Sequence, residues 1–135
     1  MKNKLIAFIC VVACLATMIV PAFAVETRAS SQIIRYSMDA TTSKDTIEVF
    51  FSVTGVGTMQ KIGCESIYIY EKSGTRWSLV ETFTEDDSGM SRTNTHSHRN
   101  TIYYTGDADV EHKVVVTIFS EDDTERDIRT KTFYV

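Results

Sequence analysis

Proline is almost missing from this chain, and cysteine is scarce. The single proline is Pro21, so beyond it no pyrrolidine ring fixes a turn, and glycines and polar clusters must punctuate the fold. Of the three cysteines, Cys10 and Cys14 lie in an apolar N-terminal stretch and only Cys64 follows it. Residues 25–135 therefore cannot form an internal disulfide, which excludes the disulfide-stapled class of small exported scaffolds and requires a core that holds by packing. The chain also lacks a G-x-S-x-G elbow, an H-E-x-x-H pair, a P-loop and a glycine-rich nucleotide fingerprint, so no enzyme class with a local signature is indicated. It has no window of helical period and no basic stripe.

What is present begins with a targeting segment. Lys2 and Lys4 precede an apolar run from Leu5 to Val20, and Ala22-Phe23-Ala24 closes it with a small-x-small pattern. This reads as a signal peptide over residues 1–24, cleaved after Ala24. At about 16 residues the run is shorter than the roughly 20 that cross a bilayer core, so a transmembrane anchor is disfavoured. Val11-Val12-Ala13-Cys14 looks like a lipobox, but cleavage there would leave an apolar Leu15–Phe23 as the new N-terminus, so a lipoprotein attached through Cys14 is also disfavoured. Residues 25–135 then form a single domain with one core. All 18 acidic side chains but 12 of the 14 basic ones remain in it, a net charge of −6, which disfavours nucleic acid and anionic lipid as partners.

Side-chain alternation sets the fold class. Ile47, Val49, Phe51 and Val53 share one parity and Thr46, Glu48, Ser52 and Thr54 the other, the signature of a half-buried strand. Gly55-Val56-Gly57 reads as a turn, and Lys61–Glu71, carrying Ile67-Tyr68-Ile69-Tyr70, as a central strand apolar on both faces. Ser73-Gly74 connects it to a return strand, with Trp77 and Leu79 alternating against Ser78 and Val80. Glu85–Gly89 reads as a loop, Met90–Arg99 as a polar segment with at most a short edge strand, and Thr101–Tyr104 as a further strand. Gly106-Asp107 leads into His112–Phe119, Glu121–Asp123 is a second acidic loop, and Ile128–Val135 ends the chain; Gln32–Met38 opens it. Seven to eight short strands and no helix predict an all-β, immunoglobulin-like or fibronectin type III-like antiparallel β-sandwich.

The run Lys61-Ile62-Gly63-Cys64-Glu65-Ser66-Ile67-Tyr68-Ile69-Tyr70-Glu71-Lys72, followed by Gly74, Trp77, Leu79 and Val80 and later by Gly89-Met90, resembles a group of small exported proteins of Firmicutes, mainly gut Clostridia. The resemblance implies a fold and an extracellular address and carries no activity. It also implies an immunoglobulin-type strand at His112–Phe119. His112 stands where a corner tyrosine would be, and Val114 where a disulfide-forming cysteine would be, so the strand keeps neither hallmark.

Three groups of residues invite a chemical reading. If strands alternate in direction, Gly55–Met59, Glu85–Asp87 and Glu121–Asp123 fall at one pole, where the clustered carboxylates suit calcium. Neither acidic loop has the spacing of a calcium motif, and solvated loops are the simpler expectation. His96 and His98 alternate on a would-be strand as two imidazoles for zinc, yet a zinc site needs three or four ligands, and only His112 or a remote carboxylate could supply the third. Cys64 is expected as a buried small hydrophobe, with pairing between two chains as the alternative. Phe50, Tyr68, Tyr70 and Trp77 are expected in the core. No catalytic, cofactor-binding or metal-ligating residue is assigned. Two roles remain: a secreted, non-enzymatic binding module for a protein or glycan ligand, with Glu85–Asn100 as its recognition segment, and a structural or self-associating surface protein joined through Cys64 or through sheet edges.

Overall fold

The computed structural model describes residues 32–135. The signal peptide over residues 1–24, its cleavage point after Ala24 and the lipobox Cys14 lie outside the described residues. Among the described residues no helix is long and apolar enough to cross a membrane.

Among the described residues the fold is all-β and antiparallel, with six strands in one continuous sheet. They are β1 (Ile33–Ser43), β2 (Thr46–Ser73), β3 (Arg76–Thr84), β4 (Ser91–Thr105), β5 (His112–Glu121) and β6 (Arg126–Tyr134). The spine is β2, a strand of 28 residues. Along one of its sides runs β4 and then β3; along the other runs β1 and then β5, with β6 outside β5. The sheet curls about β2, so β1 comes back to meet β5 and β6. Gln32 fastens that closure: its backbone N–H donates to Asp127 Oδ2 at 2.8 Å and its Nε2 to Asp122 Oδ2 at 2.7 Å.

The strand count is six where seven or eight are expected, and two mergers explain the difference. Gly55-Val56-Gly57 does not turn the chain. Gly55 stays paired with Ile33, and Val56 donates its N–H to the Gln32 carbonyl at 3.1 Å, so the strand keeps its partner while it bends. The ladder to β4 shifts between Thr54 and Met59, where the glycines let β2 pass from one half of the sheet to the other. Likewise Met90–Arg99 is no loop with a short edge strand: it joins Thr101–Tyr104 in the single β4, whose partner is β2 throughout.

The parity of Thr46–Thr54 is as the sequence predicts. Ile47, Val49, Phe51 and Val53 are buried, together with Met38 and Ala40 of β1. In the other half Ile62 and Cys64 point inward, a bulge between Cys64 and Ser66 switches the phase, and Ile67 and Ile69 continue the core against Val114, Val116 and Ile118. None of the four aromatics expected in the core lies on its inner face, and the phase switch accounts for the two tyrosines. Tyr68 and Tyr70 point away from the core, Phe50 takes the parity opposite Phe51, and Trp77 sits half-buried on the edge strand β3. Leu79 is exposed as well.

At Gly63 the spine and the start of β4 come closest. Its φ is +154°, and a Cβ there would overlap the Met90 carbonyl and Ser91 Cα. Only glycine lets Met90 enter the core beside Cys64, whose N–H donates to that carbonyl at 2.7 Å.

Candidate functional site

On the outer surface of β1, the first half of β2 and β4, side chains line up in cross-strand rows. Arg35, Thr54 and Ser97 form one row, Ser37, Ser52 and Arg99 the next, Asp39, Phe50 and Thr101 the third, and Thr41, Glu48 and Tyr103 the fourth. The period of two dictates this arrangement: every residue opposite in parity to the core set faces out together. Between the rows lies a groove of about 620 Å³ lined by Arg35, Ser52, Thr54, Arg92, Ser97, His98 and Arg99. A second depression of about 350 Å³, lined by Phe50, Arg99, Asn100, Thr101 and Tyr103, adjoins it at Arg99.

The groove collects three exposed arginines, Arg35, Arg92 and Arg99, around a floor of hydroxyls in a chain that is acidic overall. Among the described residues none of the three has an ion-pair partner. Beneath the groove, His98 is 8 % exposed, its ring 5.6 Å from that of Phe51, and its Nε2 donates to the Gly89 carbonyl at 2.7 Å. Asn100 Nδ2 donates to the same carbonyl at 3.0 Å. The loop Glu85–Met90 is further tied by Ser91 Oγ to the Glu85 carbonyl and by the Thr84 N–H to Asp87 Oδ2, both at 2.7 Å. The segment Glu85–Asn100 is thus a pinned turn followed by paired strand.

At one pole of the sheet several charges find partners inside the molecule. Glu85 and Glu121, from the two acidic loops, meet at one pole as the alternation of strands predicts, and they meet on Arg126. Its Nη2 donates to Glu85 at 2.7 Å and Glu65 at 2.8 Å, and its Nη1 to Glu121 at 2.7 Å. The guanidinium carbon lies 3.8 Å over the Phe119 ring. Burial alone would lower the Arg126 pKa; the three carboxylates outweigh it and hold the group above its ordinary value. Asp122 caps the turn between β5 and β6, accepting from the N–H and hydroxyl of Thr124 at 2.8 Å, contacts that hold its carboxyl below the usual range. Arg126 thus engages one carboxylate from each of the two loops weighed for calcium, and among the described residues no group of three His, Cys, Asp or Glu side chains could hold a metal ion.

The two candidate zinc histidines are separated by environment, His96 exposed and His98 buried. His112 is remote from both. It is 2 % exposed at the start of β5, 3.4 Å from Glu71 Oε1 and edge-on to Tyr104. Cys64 is fully buried, donating to the Thr117 and Ser66 carbonyls at 3.2 and 3.4 Å, and burial pushes its thiol pKa up to about 12. A disulfide between two folded chains through Cys64 would require the spine to open, which removes that route to a dimer.

The outer surface of the second half of β2 is aromatic, and its cations are engaged. Lys113 Nζ lies 4.4 Å from the Tyr70 ring centre and 5.2 Å from that of Trp77, Lys72 Nζ lies 5.6 Å from Trp77, and Trp77 packs against Tyr134 at 5.8 Å. Lys72 also pairs with Glu111 at 3.1 Å.

No family profile and no curated protein matches the chain. Among solved structures the chain is similar to Spo0M, a sporulation control protein from Bacillus subtilis, at 12 % identity and a TM-score of 0.42. The likeness covers 74 % of this chain and 49 % of that one, so the chain spans about half of that structure's length.

The arginines are absent from the sequence-based candidates because nothing local marks them. Ser52 and Thr54 are legible as the polar parity of their strand. That Arg35 and Arg99 flank them follows only from the β1–β2–β4 register.

Proposed function

We propose that this chain is an exported, non-enzymatic binding module acting outside the cell, and that its ligand is an anion seated on the outer β1–β2–β4 surface. The observation that carries the reading is the convergence of three arginines on one groove, none of them with a carboxylate partner among the described residues. A planar guanidinium fork suits a carboxylate or sulfate, and a hydroxyl floor supplies both donors and acceptors. The recognition surface moves from the segment Glu85–Asn100 to the strand face that its second half helps to build. Export rests on the tripartite pattern of residues 1–24 and on the resemblance to small exported Firmicutes proteins. The immunoglobulin-like or fibronectin type III-like assignment belongs to the same proposal: two halves of a sheet closing on one core support it, while the uninterrupted β2 sets the chain apart.

Titrating the purified chain with sodium sulfate, at constant ionic strength, tests the seat. Amide signals of Ser52, Thr54 and Ser97 should move together, and Arg99→Gln should abolish the change. Shifts spread evenly over the surface would count against it. A second reading, self-association through sheet edges, is favoured by Leu79 and Val80 on β3 and Ile128 and Tyr134 on β6, all exposed. Gel filtration across a concentration series separates it, because edge pairing needs no thiol and reductant should leave any dimer unchanged.

A further inference from the structure

We propose that the ligand of this surface is an acidic polysaccharide in which uronate sugars alternate with neutral ones, lying across the groove and onto Phe50 and Tyr103. The inference rests on the binding reading above and narrows it to one chemical class.

The two depressions share Arg99, so a ligand that fills both places an anion and an apolar ring face on either side of one guanidinium. Same-face rows follow one another at about 7 Å along a strand, so the four rows span about 20 Å, far more than a single small anion covers. Along that length the chemistry changes in order. The first two rows offer Arg35 and Arg99 with Thr54, Ser97, Ser37 and Ser52. The next two offer Phe50 and Tyr103, the latter 63 % exposed. A pyranose chain carries the matching groups: carboxylates for the arginine forks, hydroxyls for the serine and threonine floor, and a C–H face to cover an aromatic ring.

The same rows decide against a nucleic acid. Asp39 stands beside Phe50, and Glu48 beside Tyr103. A strand with a phosphate at every nucleotide would set charge against these carboxylates where its bases reached the rings, whereas a neutral sugar offers hydroxyls that a carboxylate accepts. A polysaccharide that carries neutral sugars beside its uronates can meet both pairs of rows, and a chain charged on every ring cannot.

The test is calorimetric titration of the purified chain with hyaluronan oligosaccharides, polygalacturonate, heparin, dextran and a single-stranded DNA oligomer, beside the sulfate titration above. Hyaluronan oligosaccharides should bind most tightly and dextran should be silent. Arg99→Gln should weaken hyaluronan about tenfold or more. Tyr103→Ala, at a position 63 % exposed, should leave the melting temperature unchanged and weaken hyaluronan several-fold while sulfate still moves the groove amides as before. If sulfate binding persists and depends on Arg99 but hyaluronan ignores Tyr103→Ala, or if heparin, polygalacturonate or DNA binds more tightly, this inference falls and the anion seat stands. If neither sulfate nor any glycan perturbs Ser52, Thr54 or Ser97, both fall.

Discussion

The two halves of β2 share one core and present opposite outer surfaces. From Lys61 to Ser73 several charged side chains on and beside the strand are engaged within the molecule: Arg126 holds three glutamates, and Lys72 and Lys113 lie over Trp77 and Tyr70. From Thr46 to Thr54 the outward row is hydroxyls, a phenylalanine and one glutamate, and the arginines beside it have no acidic partner among the described residues. A cation matched internally belongs to the architecture, and an unmatched one is available to something else. Arg126 and Arg99, alike in chemistry, therefore differ in what their loss should cost.

The largest expected effect lies in the shared core and tests whether inner and outer faces are as distinct as their parity. Phe51→Ala should lower stability by about 4 kcal/mol in urea unfolding, against under about 1 kcal/mol for the neighbouring Phe50→Ala. Equal losses would mean that Phe50 is a core residue. Gly63→Ala should cost roughly 3 kcal/mol, because a methyl group meets backbone at Met90 and Ser91 in a conformation that favours glycine. Next, Arg126→Gln should cost about 2 kcal/mol, between an exposed pair and a buried one, since Glu65, Glu85 and Glu121 would be left facing one another. High salt should recover part of that loss. Arg99→Gln should stay within about 0.5 kcal/mol of the parent and lose anion binding instead. The reverse pattern, Arg99 stabilising and Arg126 neutral, would break the comparison.

Cys64 adds a pH dependence that belongs to the core and to neither surface. Its folded pKa, about 12, lies above the unfolded value of 9.0, so the native chain keeps a proton that the unfolded chain releases. Stability should then fall as pH rises from about 9 towards about 12, by about 1.4 kcal/mol per pH unit from this group. Comparing unfolding curves of the parent and Cys64→Ala over that range isolates the slope. The native thiol should also resist alkylation at pH 8 until denaturant is added; rapid native labelling would place it at the surface.

Strand character was readable wherever one face is apolar and the other polar. Thr46–Thr54 and His112–Phe119 declare their cores because the pleat alternates and water enforces the sorting. The alternation became ambiguous at Lys61–Glu71, where Ile and Tyr occupy successive positions and only the bulge after Cys64 decides that isoleucine goes inward. It failed at Gly55-Val56-Gly57, because a glycine pair is compatible with a turn or with a bending strand, and the difference lies in partners supplied by Gln32 and Ile33. It failed again at Met90–Arg99, a polar stretch whose strand is specified by pairing to β2 and not by its own hydropathy.

By itself, then, the sequence determined strand character over the described residues, a single cysteine among them, and the inward set of its first long strand, since each depends on local alternation or on residue identity. Only the tertiary structure decided that β2 runs unbroken through both halves, that Arg126 gathers Glu65, Glu85 and Glu121 at the acidic pole, and that Arg35, Arg92 and Arg99 converge. Those results depend on register, which places residues far apart in sequence side by side, and register is a property of paired strands.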